Sequence, residues 1–446
     1  MKKLYLFCWL CLPASAILAQ PVAEKLDELL VAYARQNQFN GAALVAQKGK
    51  ILLEKGYGWK NIQDSAKNDE QTIFQVGSVT KQFTSAIILQ LQQQNKLSVQ
   101  DKLNKYYPDF PNGGMITIEH LLTHTSGIYN YTNDMAFMKT GSLKPNTHDA
   151  MIALFKSKPL DFTPGSKYSY SNSGYLLLGY IIEKVTGKSY FQVVRERIFQ
   201  PLHMDHSGFD FAGLKSKDKA TGYFVLTGSN AEPATIVDST ASSAAGAIYT
   251  TVGDLYKWDR ALYTTSILTG SSLQQAFTPH KGNYGYGWVI DSTGGKKVVE
   301  HGGGIFGFSS IITRNITDDI CIILIDNHQS PILNKIADGL TDILNNKSPE
   351  VPRAWKEINV DTAILRQYVG EYELVPNFIL AITLENGQLM IQATGQGKAP
   401  LYAEKENFFF LKVVDAQVEF IKGTDGKTDK LLLHQNGQVM PANKIK

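Results

Sequence analysis

Gly77-Ser78-Val79-Thr80-Lys81 stands at the mouth of a largely apolar run, Phe83 to Leu91. A run of that length reads as a buried helix. A serine at its start with a lysine three residues on places a hydroxyl and an amine on one face, about one turn apart. The unpaired N–H groups and partial positive charge of a helix N-terminus favour a developing oxyanion and disfavour a protonated lysine. A lysine that gives up its proton easily can activate the serine. Ser78 therefore reads either as a nucleophile with Lys81 as its base or as a helix N-cap.

A Ser-x-x-Lys spacing arises about twice by chance in a chain of this length at average composition, and this chain has a second one, Ser216-Lys217-Asp218-Lys219. It lies in a polar, lysine-rich stretch with no apolar helix behind it, so nothing there desolvates either group. It serves as an internal control for the first.

At 446 residues, 43% hydrophobic and 19% charged, the chain has material for a sizeable core and a second domain. A formal net charge of +3, spread evenly, argues against nucleic acid or an anionic membrane as a partner. Lys2-Lys3, the apolar stretch Leu4 to Leu12 and the small-residue run Pro13 to Ala19 have the layout of a secretory signal over residues 1–19. Its apolar part is too short to span a bilayer comfortably, so no transmembrane segment is expected in the mature chain, which would be periplasmic or extracellular. Loss of Cys8 and Cys11 with the signal leaves Cys321, expected in the core.

Val22, Leu26, Leu29, Leu30 and Tyr33 keep helical spacing. Ala42 to Ala46, a Lys48-Gly49-Lys50 turn and Ile51 to Leu53 then read as a hairpin. The middle of the chain is mostly helical, most clearly at Leu178, Ile181, Ile182 and Val185, closed by Gly187. Strand patterns return at Lys297 to Glu300, Ser309 to Thr313 and Ile320 to Ile325, and Leu333 to Leu344 gives one more amphipathic helix. The expected fold class is α+β over residues 20–345: an antiparallel sheet built from both ends, flanked by helices, with a mostly helical insertion. A linker is expected over residues 346–356, where Pro349 and Pro352 punctuate a polar stretch. Residues 357–446 read as a small all-β, barrel-like domain with hairpin turns at Asn386-Gly387 and Asn436-Gly437.

Two further stretches carry chemistry. The polar loop Tyr168 to Gly174 offers a phenol, Tyr170, and an amide, Asn172, two residues apart. After the strand ending at Glu300 come His301, Gly302, Gly303 and Gly304, where the glycines leave a strand edge bare, so that a substrate backbone can approach and pair. Each also has a plainer reading, as turn filler or a bulge. His120 and His124 are spaced as metal ligands on a helix would be, which opens a zinc-hydrolase alternative, but Glu119 is misplaced for His-Glu-x-x-His. Gly-x-Ser-x-Gly is absent.

In this order, Ser78 to Lys81, Tyr170 to Asn172 and His301 to Gly303 resemble the motifs of the penicillin-recognising serine hydrolases, a superfamily of class C β-lactamases, DD-peptidases, D-aminopeptidases and related esterases. Leu121 to Gly127, Ser243 to Gly246 and Tyr284 to Trp288 are similar to the family as well. The β-rich tail resembles the lipocalin-like domain that often follows such enzymes. The resemblance implies the serine β-lactamase fold, an acyl-enzyme on Ser78, proton transfer by Lys81 and Tyr170, and a substrate amide held by Asn172. It further implies an oxyanion hole from the N–H groups of Ser78 and Gly304, with His301, Gly302 and Gly303 lining the substrate strand. No metal or cofactor is implied, and the partner is a small-molecule or peptide substrate, peptidoglycan-derived ones included. His301 stands where class C enzymes carry the lysine of Lys-Thr-Gly. An imidazole is mostly neutral at pH 7, so preference for a substrate carboxylate should be weaker. With no Glu-x-x-Leu-Asn segment found either, the expectation moves toward an esterase or peptidase. A penicillin-binding or cell-wall module that does not turn over is the alternative.

Overall fold

The computed structural model describes residues 15–446 apart from 228–229, 294, 353–354, 413, 415 and 436–437. Residues 1–14 of the expected export signal lie outside the described residues, as does the turn at Asn436-Gly437. No helix among the described residues is long and apolar enough to cross a membrane. The chain divides into two units, Met1–Val351 and Pro352–Lys446.

In the first unit β1 (Gly41–Gln47), β2 (Lys50–Tyr57), β3 (Val289–Thr293), β4 (Lys296–Ile305), β5 (Phe308–Asn315) and β6 (Ile320–Asp326) form one sheet in the order β2-β1-β6-β5-β4-β3. All neighbouring pairs are antiparallel. The early hairpin meets the late strands directly, with Gly41 opposite Asp326 and Gln47 opposite Ile320. Strands β1 and β6 are buried on both faces apart from Gln47, which is why they read as near-continuous apolar runs. Cys321, Ile323 and Ile325 face the helical insertion, while Ile320, Ile322 and Leu324 face the terminal helices. Those terminal helices are α1 (Ser15–Arg35) and α6 (Leu333–Leu344), whose Leu26, Leu29, Leu30, Ile336 and Leu340 are buried on the sheet.

The insertion between β2 and β3 carries α2 (Thr80–Gln93), α3 (Ile118–Leu122), α4 (Asn172–Thr186) and α5 (Ser239–Gly246). Helix α2 is buried nearly all round, and Phe83, Ile87 and Leu91 are fully enclosed. Helix α4 ends at Gly187, whose φ of 70° is the left-handed conformation that closes a helix at little cost for glycine.

The second unit opens with α7 (Thr362–Tyr368) and continues as nine strands. They are β7 (Gly370–Val375), β8 (Phe378–Glu385), β9 (Gln388–Ala393), β10 (Lys398–Pro400), β11 (Tyr402–Lys405), β12 (Phe408–Phe410), β13 (Ala416–Lys422), β14 (Thr428–Gln435) and β15 (Gln438–Lys444). They make one sheet, ordered β10-β9-β8-β7-β15-β14-β13-β12-β11. Its end strands β10 and β11 are successive in the chain, so the sheet curls into a nearly closed barrel. Alternate residues such as Leu380, Ile382, Val418, Phe420 and Leu431 fill the interior. Asn386 and Gly387 turn the β8–β9 hairpin with φ of 49° and 82°, both positive as a tight hairpin turn requires.

Candidate active site

Ser78 lies in a single 3₁₀ turn, Gly77–Val79, that leads into α2. Val76 and Val79 occupy the two N-cap positions and neither side chain caps, so Ser78 is not the helix cap that its position also allowed. Its Oγ lies 2.9 Å from Lys81 Nζ, within hydrogen-bond distance.

Lys81 is 0% exposed, and its Nζ donates to Asn172 Oδ1 and to the Ala245 carbonyl, each at 2.8 Å, which uses the two N–H groups of a neutral amine and leaves its lone pair for Ser78. No carboxylate is among these partners. Burial disfavours the charged form, and the Lys81 amine is held well below its usual value of 10.5. A neutral amine beside a serine hydroxyl can take that hydroxyl's proton.

Asn172 is the first residue of α4, a few residues earlier than the sequence pattern suggests, so the expected loop is shorter. Its backbone N–H donates to Asn130 Oδ1 at 3.0 Å and its Nδ2 to Thr132 Oγ1 at 3.2 Å. With Lys81 on Oδ1, the side-chain amide is held at both ends and the backbone at a third point. Tyr170 is half-buried, its ring 4.8 Å from Lys81 Nζ. Burial pushes its phenol above the ordinary value of 10, against a hydrogen bond with Ser78 that lowers it. The group next to Ser78 is therefore a protonated phenol, able to donate a proton.

The loop bearing Tyr170 is held by His124. The His124 carbonyl accepts from Ser169 N–H at 2.9 Å and its Nδ1 accepts from Ser171 N–H at 3.1 Å. The ring, 1% exposed, lies with its centroid 4.1 Å from that of Tyr170 and 4.5 Å from that of Tyr284. Because Nδ1 accepts, the proton sits on Nε2, which has no hydrogen-bond partner among the described residues. Desolvation holds the imidazole well below 6.5, so it stays neutral.

The glycine stretch lies inside β4 rather than beyond its end. Strand β3 pairs with β4 only from Lys296 to Glu300, so residues 301–305 are paired to β5 alone and their other edge is bare. Gly303 is where β4 touches the Ser78 turn: a Cβ there would sit 2.0 Å from the Val76 carbonyl oxygen, which Ser310 Oγ also reaches at 2.8 Å. Gly302 and Gly304 are exposed along the edge.

His301 differs from the expectation. It is 4% exposed and both ring nitrogens are engaged, Nδ1 with its neighbour's carbonyl, Gly302 O, at 2.6 Å and Nε2 with Tyr284 Oη at 2.7 Å. A carbonyl only accepts, so Nδ1 carries the proton and Nε2 accepts from the Tyr284 hydroxyl. Burial and nearby Lys81 push the ring down to about 3, leaving it neutral. The imidazole faces inward and does not present itself on the open edge.

A cavity of about 270 Å³ opens at Ser78, with Asn172 and Gly304 on its wall. The control pair is wired differently, since Ser216 Oγ accepts from Asp218 N–H and Lys219 Nζ donates to the Ala212 carbonyl. The zinc alternative required His120 and His124 on one helix face. Helix α3 ends at Leu122, and His124 lies past it with φ of 57°. His120 Nδ1 instead accepts from Thr117 N–H in a capping box, so the two rings serve separate backbone contacts. Ala245, Tyr284 and His124 lie in stretches similar to the family, but the contacts they make, the hold of His124 on the Tyr170 loop included, were not legible in the sequence. The first is a backbone carbonyl with no side-chain signal, and the other two act through tertiary packing alone.

Residues 26–342 match the Beta-lactamase family and residues 354–443 a domain of unknown function, DUF3471. The chain is 30% identical to "Penicillin-binding protein 4*" of Bacillus subtilis (strain 168), over 94% of this chain and 98% of that one. The fold is shared with the octameric penicillin-binding protein homologue from Pyrococcus abyssi at a TM-score of 0.66 and 25% identity, covering 94% of this chain and 99% of the other. A D-stereospecific amidohydrolase from Streptomyces sp. superposes at 0.60 with 26% identity, over 72% and 97% of the two chains. Similarity in sequence to a penicillin-binding protein, a fold shared with an amidohydrolase and a serine–lysine pair at the head of a buried helix converge: the chain belongs to the β-lactamase and penicillin-binding-protein family, and it is a serine hydrolase.

Proposed function

We propose that the chain is an exported hydrolase of esters, amides or peptides that works through an acyl-enzyme on Ser78. The observation that carries this reading is the 2.9 Å contact between the buried Lys81 amine and Ser78 Oγ. Lys81 Nζ takes the hydroxyl proton as Oγ bonds to the substrate carbonyl carbon. The oxyanion is received by the N–H groups of Ser78 and Gly304. The bond to the leaving group then breaks, and the leaving atom takes the Tyr170 proton, which the Lys81 ammonium replaces. Water then loses a proton to Lys81 along the same route and bonds to the acyl carbon; the acyl–Oγ bond breaks, Oγ takes that proton from the Lys81 ammonium, and the acid leaves. Asn172 keeps Lys81 on Ser78, and the bare edge of β4 receives a substrate backbone. His301 and His124 are positioning residues, the first holding Tyr284 and the second the Tyr170 loop. The residue 1–19 layout supports export.

Intact-mass analysis after exposure to a fluorophosphonate tests the reading. A single adduct is expected on wild type and on Ser216→Ala, and none on folded Ser78→Ala or Lys81→Ala. An adduct on Ser78→Ala would overturn the assignment. With an activated ester, an acyl adduct that persists rather than decays would mark the penicillin-binding alternative instead.

A further inference from the structure

We infer that the cavity beside Ser78 is an acyl pocket, and that the substrates of this enzyme carry an uncharged, apolar acyl group. This rests on Ser78 being the nucleophile. The cavity runs from Ser78 and Gly304 past Ile305 and Phe306 at the end of β4 to Met138, Val237 and Ala241 on the facing side. The polar side chains on its wall are hydroxyls and amides. Among the described lining residues there is no Asp, Glu, Lys, Arg or His. At about 270 Å³ it exceeds the ~150 Å³ apolar cavity that accommodates a benzene ring.

Its place relative to the proton donor decides which half of the substrate it takes. Tyr170 is not on its wall, and neither are His301 and Tyr284. A leaving group must reach the proton of Tyr170 and so lies on that side of Ser78. The other substituent of the carbonyl carbon, the acyl chain, points into the cavity. In the transfer, the Ser78 Oγ–carbon bond forms, the ester C–O bond breaks, and the proton from Ser78 ends on the leaving alcohol by way of Lys81 and Tyr170.

A carboxylate entering this space exchanges part of its water for apolar side chains, hydroxyls and amides and meets no cation, which disfavours it. His301, at the motif position where class C enzymes carry a lysine, is enclosed and bonded on both nitrogens. Selection against charge is thus a property of the wall as well as of the motif.

The test uses the full chain and two esters of 4-nitrophenol, the hexanoate and the adipate half-ester, which differ by a terminal carboxylate. The kcat/KM ratio is expected to favour hexanoate by about a hundredfold or more. Met138→Lys places a cation on a half-buried wall position of a short surface helix, Met135–Thr140. It should raise adipate and lower hexanoate, moving the ratio at least tenfold. Phe306→Ala should lower hexanoate with little effect on adipate. Fluorophosphonate labelling of Ser78 is measured on the same samples. A wild-type ratio near one, or a ratio unmoved by Met138→Lys, with labelling intact, overturns the acyl pocket and leaves the nucleophile standing. Labelling that survives Ser78→Ala removes both.

Discussion

Gly77 and Gly304 lie so close that a Cβ on Gly77 would come within 2.8 Å of the Gly304 backbone nitrogen and carbonyl oxygen. Gly77 also has φ of 49°, in the left-handed region. This contact, with Gly303 against Val76, brings the Ser78 turn onto the bare edge of β4, where two backbone N–H groups can converge on one oxyanion. It is a relationship between elements more than two hundred residues apart.

The glycines should separate by role. Gly77→Ala is expected to push the turn off β4 and misplace one oxyanion donor, lowering kcat by about 10²–10³, the usual worth of such a donor. Gly303→Ala meets the Val76 carbonyl oxygen at 2.0 Å and should also lower stability, by roughly 1–3 kcal/mol for an overpacked site. At Gly302 the nearest atom to a Cβ is 3.8 Å away, so Gly302→Ala should leave the fold unchanged. Chemical denaturation beside kcat on one ester checks all three. Equal stability for Gly302→Ala and Gly303→Ala would contradict the close approach.

The pH profile follows from the directions of the shifts. In the proposed mechanism Lys81 works as the free amine, so activity should rise with pH as Lys81 loses its proton, at a pH well below 10.5. His301, down to about 3, should contribute no limb near 6.5, and Tyr170, pushed above 10, no alkaline limb below pH 10. Tyr170→Phe should lower kcat by about 10²–10⁴ and leave the acid limb where it was. An acid limb that moves with Tyr170→Phe would transfer the base role to the phenol.

Tyr284→Phe leaves the buried His301 Nε2 without its donor, which should cost about 1–3 kcal/mol in unfolding measurements. His301→Lys forces a longer cation into the same enclosed position. It is expected to destabilise more than Tyr284→Phe and to bring no gain on carboxylate-bearing esters. A folded His301→Lys variant with improved kcat/KM on the adipate half-ester would show that this side chain reaches substrate after all.

Much of the molecule was legible in the chain because the signals are local. Apolar periodicity marks α2, α4 and α6, paired β-rich runs mark β1, β2, β5 and β6, and Asn386-Gly387 marks a hairpin whose positive φ values few other residues tolerate. Ser78 and Lys81 are one helical turn apart, so their meeting is a consequence of helix geometry. What the folded chain alone decided is everything that depends on long-range contact: Asn172 on Lys81 across 91 residues, Ala245 across 164, and the inward turn of His301 onto Tyr284. Burial has the same origin. A lysine at the head of an apolar run becomes a neutral amine only when α4 and α5 close over it, and a histidine spaced like a metal ligand becomes a loop clamp because α3 stops at Leu122. Spacing along a helix is written in the sequence, whereas desolvation is a property of the neighbours that folding supplies.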